Sequence, residues 1–170
     1  MTRHVAFLRG VSPQNAKMPA LKACFEAAGF QNVRTILGSG NVAFDARAAS
    51  VESLVRRATN AMQQELGRTF ATILRPSGYL RELVASDPFA RFDVPPDAKR
   101  VVTFLRRPAE AVRLPIGRDG ATILGTADCE VFTAYLPSDK GPVFMSLLER
   151  TFGTDITTRT LDTVAKCAVA

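Results

Sequence analysis

Arg9, Gly10, Gln14, Asn15 and Lys17 fall in one loop that runs into a helix start at Pro19. Free backbone N–H groups and the positive end of a helix dipole favour an anion at such a place, and two side-chain amides and an ammonium group could add donors. The chemistry this suits is phosphate binding. The spacing is not that of a Walker loop or a dinucleotide fingerprint, and Pro19 removes one N–H, so a loop that satisfies its own backbone is the competing reading. Ser39, Gly40 and Asn41 form a second small, polar set, suited to a tight hairpin turn and, in addition, to close approach by a ligand. Near the end of the chain Arg159, Thr163 and Lys166 share one stripe of a predicted last helix and form a candidate anion-binding ridge. Asp162 and Lys166 on the same helix are ordered for an i,i+4 ion pair, and Thr158 or Thr160 is placed to cap it.

Constellations for catalysis are sparse. The lone histidine, His4, sits at the start of a predicted strand, so neither a histidine-based triad nor a histidine-rich metal site can be built without it. Asp87, Asp93, Asp97 and Asp128 lie in predicted loops without the spacing of metal ligands. Cys24, Cys129 and Cys167 are far apart, odd in number and form no CxxC pair, which signals neither a disulfide framework nor zinc. Cys24 shares a helical stripe with Leu21 and Phe25 and reads as core. No metal and no cofactor is expected.

The charge points weakly in one direction. The formal net charge is +6, from 22 basic and 16 acidic residues, which suits a phosphate-containing ligand or nucleic acid. Arginine outnumbers lysine by 17 to 5 and the cations are spread, with Arg56-Arg57 and Arg106-Arg107 the adjacent arginine pairs, so a solvated surface of biased composition explains them first. No apolar run approaches the ~20 residues that span a bilayer, and residues 1 to 9 read as a strand rather than a leader, so a cytoplasmic protein without a membrane partner is expected.

The elements that must position these groups follow from periodicity. Residues 3–9 alternate as a strand. A helix opens at Pro19, closes at Gly29 and carries Leu21, Cys24, Phe25 and Ala28 on one face. Val33 to Leu37 and Asn41 to Asp45 form a hairpin through Gly38-Ser39-Gly40. A second helix runs from its N-cap Ser50 to Gly67, with Val51, Leu54, Val55, Ala58, Met62 and Leu66 as its stripe, and Thr69 to Arg75 is a strand. Residues 3–75 therefore spell β-α-β-β-α-β.

A short helix, Gly78 to Ala85, leads into a Pro-rich connection ending at Pro96. Arg100 to Arg106 is a strand, residues 107–120 are irregular where a helix would complete the pattern, and Ala121 to Leu124 with Glu130 to Leu136 make a second hairpin. Pro142 to Phe152 is a helix, Ile156-Thr157 a strand, and a final helix starts near Thr160. The expected fold class is α+β, two ferredoxin-like βαββαβ-type halves packed into one lobe, the second with an eroded first helix and an extra C-terminal helix. The halves fall at 1–76 and 99–170, with 77–98 connecting them. An RNA-recognition module has the same order of elements, but the two central strands here offer only Phe7 and Phe44, which core packing explains better.

Three segments carry a resemblance: Leu8-Arg9-Gly10-Val11 with Lys17-Met18-Pro19; Val33-Arg34-Thr35 with Ser39-Gly40-Asn41-Val42; and Thr158-Arg159 with Thr163-Val164 and Lys166. Together they resemble the bacterial domain-of-unknown-function family numbered 1697, over residues 4–168. The resemblance implies an α+β fold of two ferredoxin-like halves and no known activity. The loop that commonly reads Asn-Val-Gly-Gly in that family is Ser12-Pro13-Gln14-Asn15 here. Two functions stay open on the residues alone: a noncatalytic binding protein for a phosphorylated small molecule or nucleic acid, and a small-molecule enzyme with its active site in a cleft between the halves.

Overall fold

The first strand, β1 (Thr2–Leu8), is buried without alternation from His4 to Leu8, the pattern of a strand covered on both faces. In the computed structural model, which describes all 170 residues, the chain forms two units, Met1–Glu82 with Ala165–Ala170, and Leu83–Val164. No helix is long and apolar enough to cross a membrane.

In the first unit β1 is followed by α1 (Met18–Ala27), β2 (Gln31–Ile36), β3 (Asn41–Ala46), α2 (Val51–Leu66) and β4 (Thr72–Pro76). The sheet order is β2-β3-β1-β4, antiparallel throughout, which is the ferredoxin-like arrangement expected. Leu21, Cys24 and Phe25 of α1 and Leu54, Ala58 and Met62 of α2 pack on Ala6, Leu8, Val42, Phe44 and Leu74 of the sheet. Each fully buried side chain of this size contributes about 2 kcal/mol. Val51, expected on the buried stripe of α2, is 46% exposed because it stands in the first turn, and Ala61 is buried further along the helix.

The helix ends follow local chemistry. Ser50 accepts a hydrogen bond from the Ser53 amide at 3.2 Å, and Gly67 closes α2 in the left-handed conformation at φ +70°. The C-terminal end of α1 is held from α2: Arg57 donates to the Ala28 carbonyl from Nη2 at 2.8 Å, and its guanidinium lies 4.5 Å from the centroid of Phe30.

The second unit contains β5 (Lys99–Leu105), β6 (Ile116–Arg118), β7 (Ala121–Ala127), β8 (Glu130–Tyr135), α4 (Val143–Phe152) and β9 (Ile156–Thr160), with the sheet order β6-β7-β8-β5-β9. Leaving out β6, this is again the ferredoxin-like order, and the place of the first helix is taken by residues 106–115, where Pro108 and Pro115 deny helical hydrogen bonds. The segment expected to be irregular as far as residue 120 ends in a short hairpin. Asp119 and Gly120, at φ +48° and +83°, make a two-residue turn that pairs Arg118 with Ala121. Leu147 and Leu148 of α4 pack on Leu105, Ala121, Ile123, Val131 and Ile156, with Tyr135 and Phe144 stacked at 4.3 Å.

The connection after α3 (Ser77–Ala85) is itself packed. Phe89 meets Phe132 edge-on at 5.5 Å, and the Phe92 ring lies so close over Gly125 that an added Cβ would sit 2.6 Å from it. The chain closes with α5 (Leu161–Ala168).

Candidate functional site

The loop after β1 and the β2–β3 turn come together. Leu8 donates its amide to the Gly40 carbonyl at 2.8 Å, and a Cβ on Gly40 would lie 2.8 Å from Val11 Cγ2. The polar side chains at this corner hold the loops. Asn15 accepts from the Ser12 amide through Oδ1 at 2.9 Å and donates from Nδ2 to the Gly10 carbonyl at 2.7 Å. Asn41 is fully buried and donates from Nδ2 to the Ile36 carbonyl at 2.9 Å and to Ser39 Oγ at 3.0 Å. Arg9 is anchored through its amide to the Ala71 carbonyl at 2.9 Å. Gln14 and Lys17 are both exposed, and Lys17 borders a small depression of about 180 Å3 with Pro13, Ala16, Met18 and Gly38.

The third set is placed differently from the sequence expectation. Arg159 lies in β9, opposite Val102 of β5, and not on the last helix, because residues 156–160 complete the sheet. Its Nη1 donates to Thr157 Oγ1 at 3.0 Å and to the Thr158 carbonyl at 2.7 Å. Thr160 caps α5 by accepting from the Thr163 amide at 3.3 Å, and the two hydroxyls lie 3.0 Å apart. Thr163 is half-buried and Lys166 exposed. Arg159 and Thr163 belong to the second unit, and Lys166, like residues 9–18 and 39–41, to the first.

His4 is buried, stacks on Phe44 at 5.7 Å, and burial holds its imidazole below the ordinary histidine range against the opposing charge of Asp45. Asp45 is held below the usual carboxylate range by hydrogen bonds from Asn32 Nδ2 at 2.7 Å and Arg3 Nη1 at 2.8 Å. The sign for stability follows. The unfolded chain binds the histidine proton first, so stability falls as pH drops through the ordinary value of 6.5 and levels off below the folded-state value. Loss of the Asp45 contribution comes separately, as pH falls below its unfolded value. Urea midpoints measured from pH 8 to 3 are expected to show both declines, and in a His4→Phe variant only the lower one. A His4→Phe profile still falling between pH 8 and 5.5 would assign that decline elsewhere. Burial likewise pushes the Cys24 thiol up, which fits core and not a nucleophile.

A different region gathers three cations. Arg118 at the β6–β7 turn, Lys140 in the loop before α4, and Arg150 on α4 line a depression of about 430 Å3 with Asp119, Ser146 and Leu147. Ser146 and Arg150 share a face of α4 by their i,i+4 spacing. Asp119 is the one carboxylate, 3.1 Å from Lys140 Nζ and 3.7 Å from Arg118 Nε. These positions were not among the sequence candidates, although the Asp119-Gly120 turn signal was there to place Arg118 and Asp119 at a hairpin tip. A further groove, about 510 Å3, borders the segment that replaces the missing helix. There Arg106 is held by Asp155 in a bidentate pair at 2.7 and 2.9 Å.

No curated protein matches the chain. Among solved structures it is similar to the conserved bacterial protein SP0830 from Streptococcus pneumoniae, with a TM-score of 0.71, 17% sequence identity and coverage of 99% of this chain and 97% of that one. At that identity the likeness is one of fold. The model of a family described as "Protein of unknown function (DUF1697)" matches residues 1–119, which contain the Leu8–Val11 and Ser39–Val42 segments, while the segment from 158 to 166 lies beyond them. With a match over more than half its length, the chain belongs to the DUF1697 family of proteins of unknown function.

Proposed function

We propose that this protein is a noncatalytic binding protein for a phosphate-bearing ligand, a phosphorylated small molecule or nucleic acid. The observation that carries the reading is the depression where Arg118, Lys140 and Arg150 face one carboxylate, Asp119. Arg118 and Lys140 keep 57% and 65% of their side-chain surface. Exposed pairs contribute about 0–1 kcal/mol each, so the affinity is modest and falls with salt. The opening of α4 beside them, with Pro142 as N-cap and no side-chain cap, adds the positive end of a helix dipole. The sheet faces are not available for stacking bases, since Phe7 and Phe44 are both fully buried.

The test is titration with pyrophosphate and with a short single-stranded oligonucleotide at low ionic strength, followed by amide shifts. Binding is expected to perturb residues 118–120 and 140–150. Combined Arg118→Gln, Lys140→Gln and Arg150→Gln substitutions are expected to weaken it at least tenfold with an unchanged melting temperature. No binding by the native chain, or equal binding by the triple variant, overturns the proposal. Perturbation confined to residues 10–18 would instead place the ligand at Lys17.

A further inference from the structure

Resting on that reading, we infer that the depression selects a dianionic phosphomonoester over the monoanionic diester of a nucleic-acid backbone, with Asp119 competing for the donors and lowering the affinity. Three cations against one carboxylate leave a net charge of about +2 at neutral pH. A phosphomonoester carries about −1.5 to −2 there, since its second pKa is near 6, and it presents three terminal acceptor oxygens. A diester carries one charge spread over two oxygens.

The geometry supports this in two ways. The cations converge from three separate pieces of chain, the β6–β7 turn, the loop before α4 and the face of α4. They line one shared depression, whereas a polymer backbone is tracked by an extended stripe. Its volume of about 430 Å3 is within the ~300–1,000 Å3 of small-molecule sites. Asp119 already draws Lys140 and Arg118 together at 3.1 and 3.7 Å. An entering phosphate must take those donors from a carboxylate, and a dianion competes for them better than a monoanion.

Asp119 also provides a clean variant. It stands at φ +48° before Gly120, and asparagine is as well suited as aspartate to such a turn. Asp119→Asn therefore keeps the hairpin and removes the competing charge. The experiment compares methyl phosphate, dimethyl phosphate, and one oligonucleotide with and without a 5′-phosphate, each titrated at pH 5 and pH 7.5 in low salt.

Methyl phosphate is expected to bind at least fivefold tighter than dimethyl phosphate at pH 7.5, and to weaken severalfold at pH 5 as it becomes a monoanion. Asp119→Asn is expected to tighten methyl phosphate about threefold or more. Preference for the 5′-phosphorylated oligonucleotide would place the monoester at a nucleic-acid end, while equal binding of the two oligonucleotides, both weaker than methyl phosphate, would place it on a small molecule. Dimethyl phosphate or the unphosphorylated oligonucleotide binding as tightly as methyl phosphate overturns the selectivity and leaves the proposed function standing. If no probe binds, both fall.

Discussion

Replacing Phe44 with alanine is expected to cost about 4 kcal/mol of unfolding free energy, within the ~3–5 kcal/mol of buried Phe→Ala changes. Phe44 is fully buried on β3 and sits among three other rings: Phe30 stacked at 4.2 Å, Phe25 tilted at 5.5 Å and His4 stacked at 5.7 Å. It thereby joins the sheet to α1 and, through Phe30, to Arg57 of α2. Truncation removes the apolar area and opens a cavity that neighbours on three elements cannot fill together. Phe44→Leu keeps most of the volume and is expected to cost about 1.5 kcal/mol or somewhat more. Urea unfolding of both variants measures the difference. A Phe44→Ala cost under 1 kcal/mol would show that the cluster is not the keystone of the first unit. The outcome also bears on function, because a ring with this role cannot stack a nucleotide base.

What was legible in the sequence was local. Ser50 and Gly67 bracket α2 because capping and the left-handed stop are decided within one turn of the chain. The stripe of Leu21, Cys24 and Phe25 gave the buried face of α1 for the same reason. The order β-α-β-β-α-β sufficed for the sheet topology, since short hairpins and right-handed crossovers leave few alternatives.

What was not legible depended on partners distant in the chain. Arg159 reads as part of a helix stripe until β9 pairs with β5, and that pairing is invisible in the segment itself. Asn15 and Asn41 carry amides that could meet a ligand, and only the folded loops show them committed to Gly10, Ser12, Ile36 and Ser39. Leu37 adopts φ +59° in the β2–β3 turn, where the neighbouring glycine at 38 was the natural choice. The cationic depression was missed because Arg118, Lys140 and Arg150 come from a turn, a loop and a helix and make no motif by spacing.

Gly40→Ala is expected to cost about 3 kcal/mol, and two other glycines separate the causes. Gly40 is at φ +88°, where a Cβ costs roughly 1–2 kcal/mol. That Cβ would also lie 2.8 and 2.9 Å from Val11 Cγ2 and Cβ and 3.1 Å from Leu8 Cβ, and these belong to a buried strand end and the loop it enters. Overpacking of this kind adds roughly 1–3 kcal/mol. Gly10 shares the conformation, at φ +84°, but has open space around it, so Gly10→Ala is expected to show the backbone cost alone, about 1–2 kcal/mol. Gly38 has neither positive φ nor a neighbour within 4 Å, so Gly38→Ala is expected to be neutral or to stabilise by up to about 1 kcal/mol through the unfolded chain. Chemical denaturation of the three variants therefore gives a rank order, Gly40 worst, Gly10 next and Gly38 least. Equal costs at Gly40 and Gly10 would show that Val11 and Leu8 yield freely, and the corner joining residues 10–18 to the 37–40 turn would then be loose rather than packed. The expected order makes Gly40 the residue that fixes these two loops against each other, with its effect read directly in the amide shifts of residues 10–18.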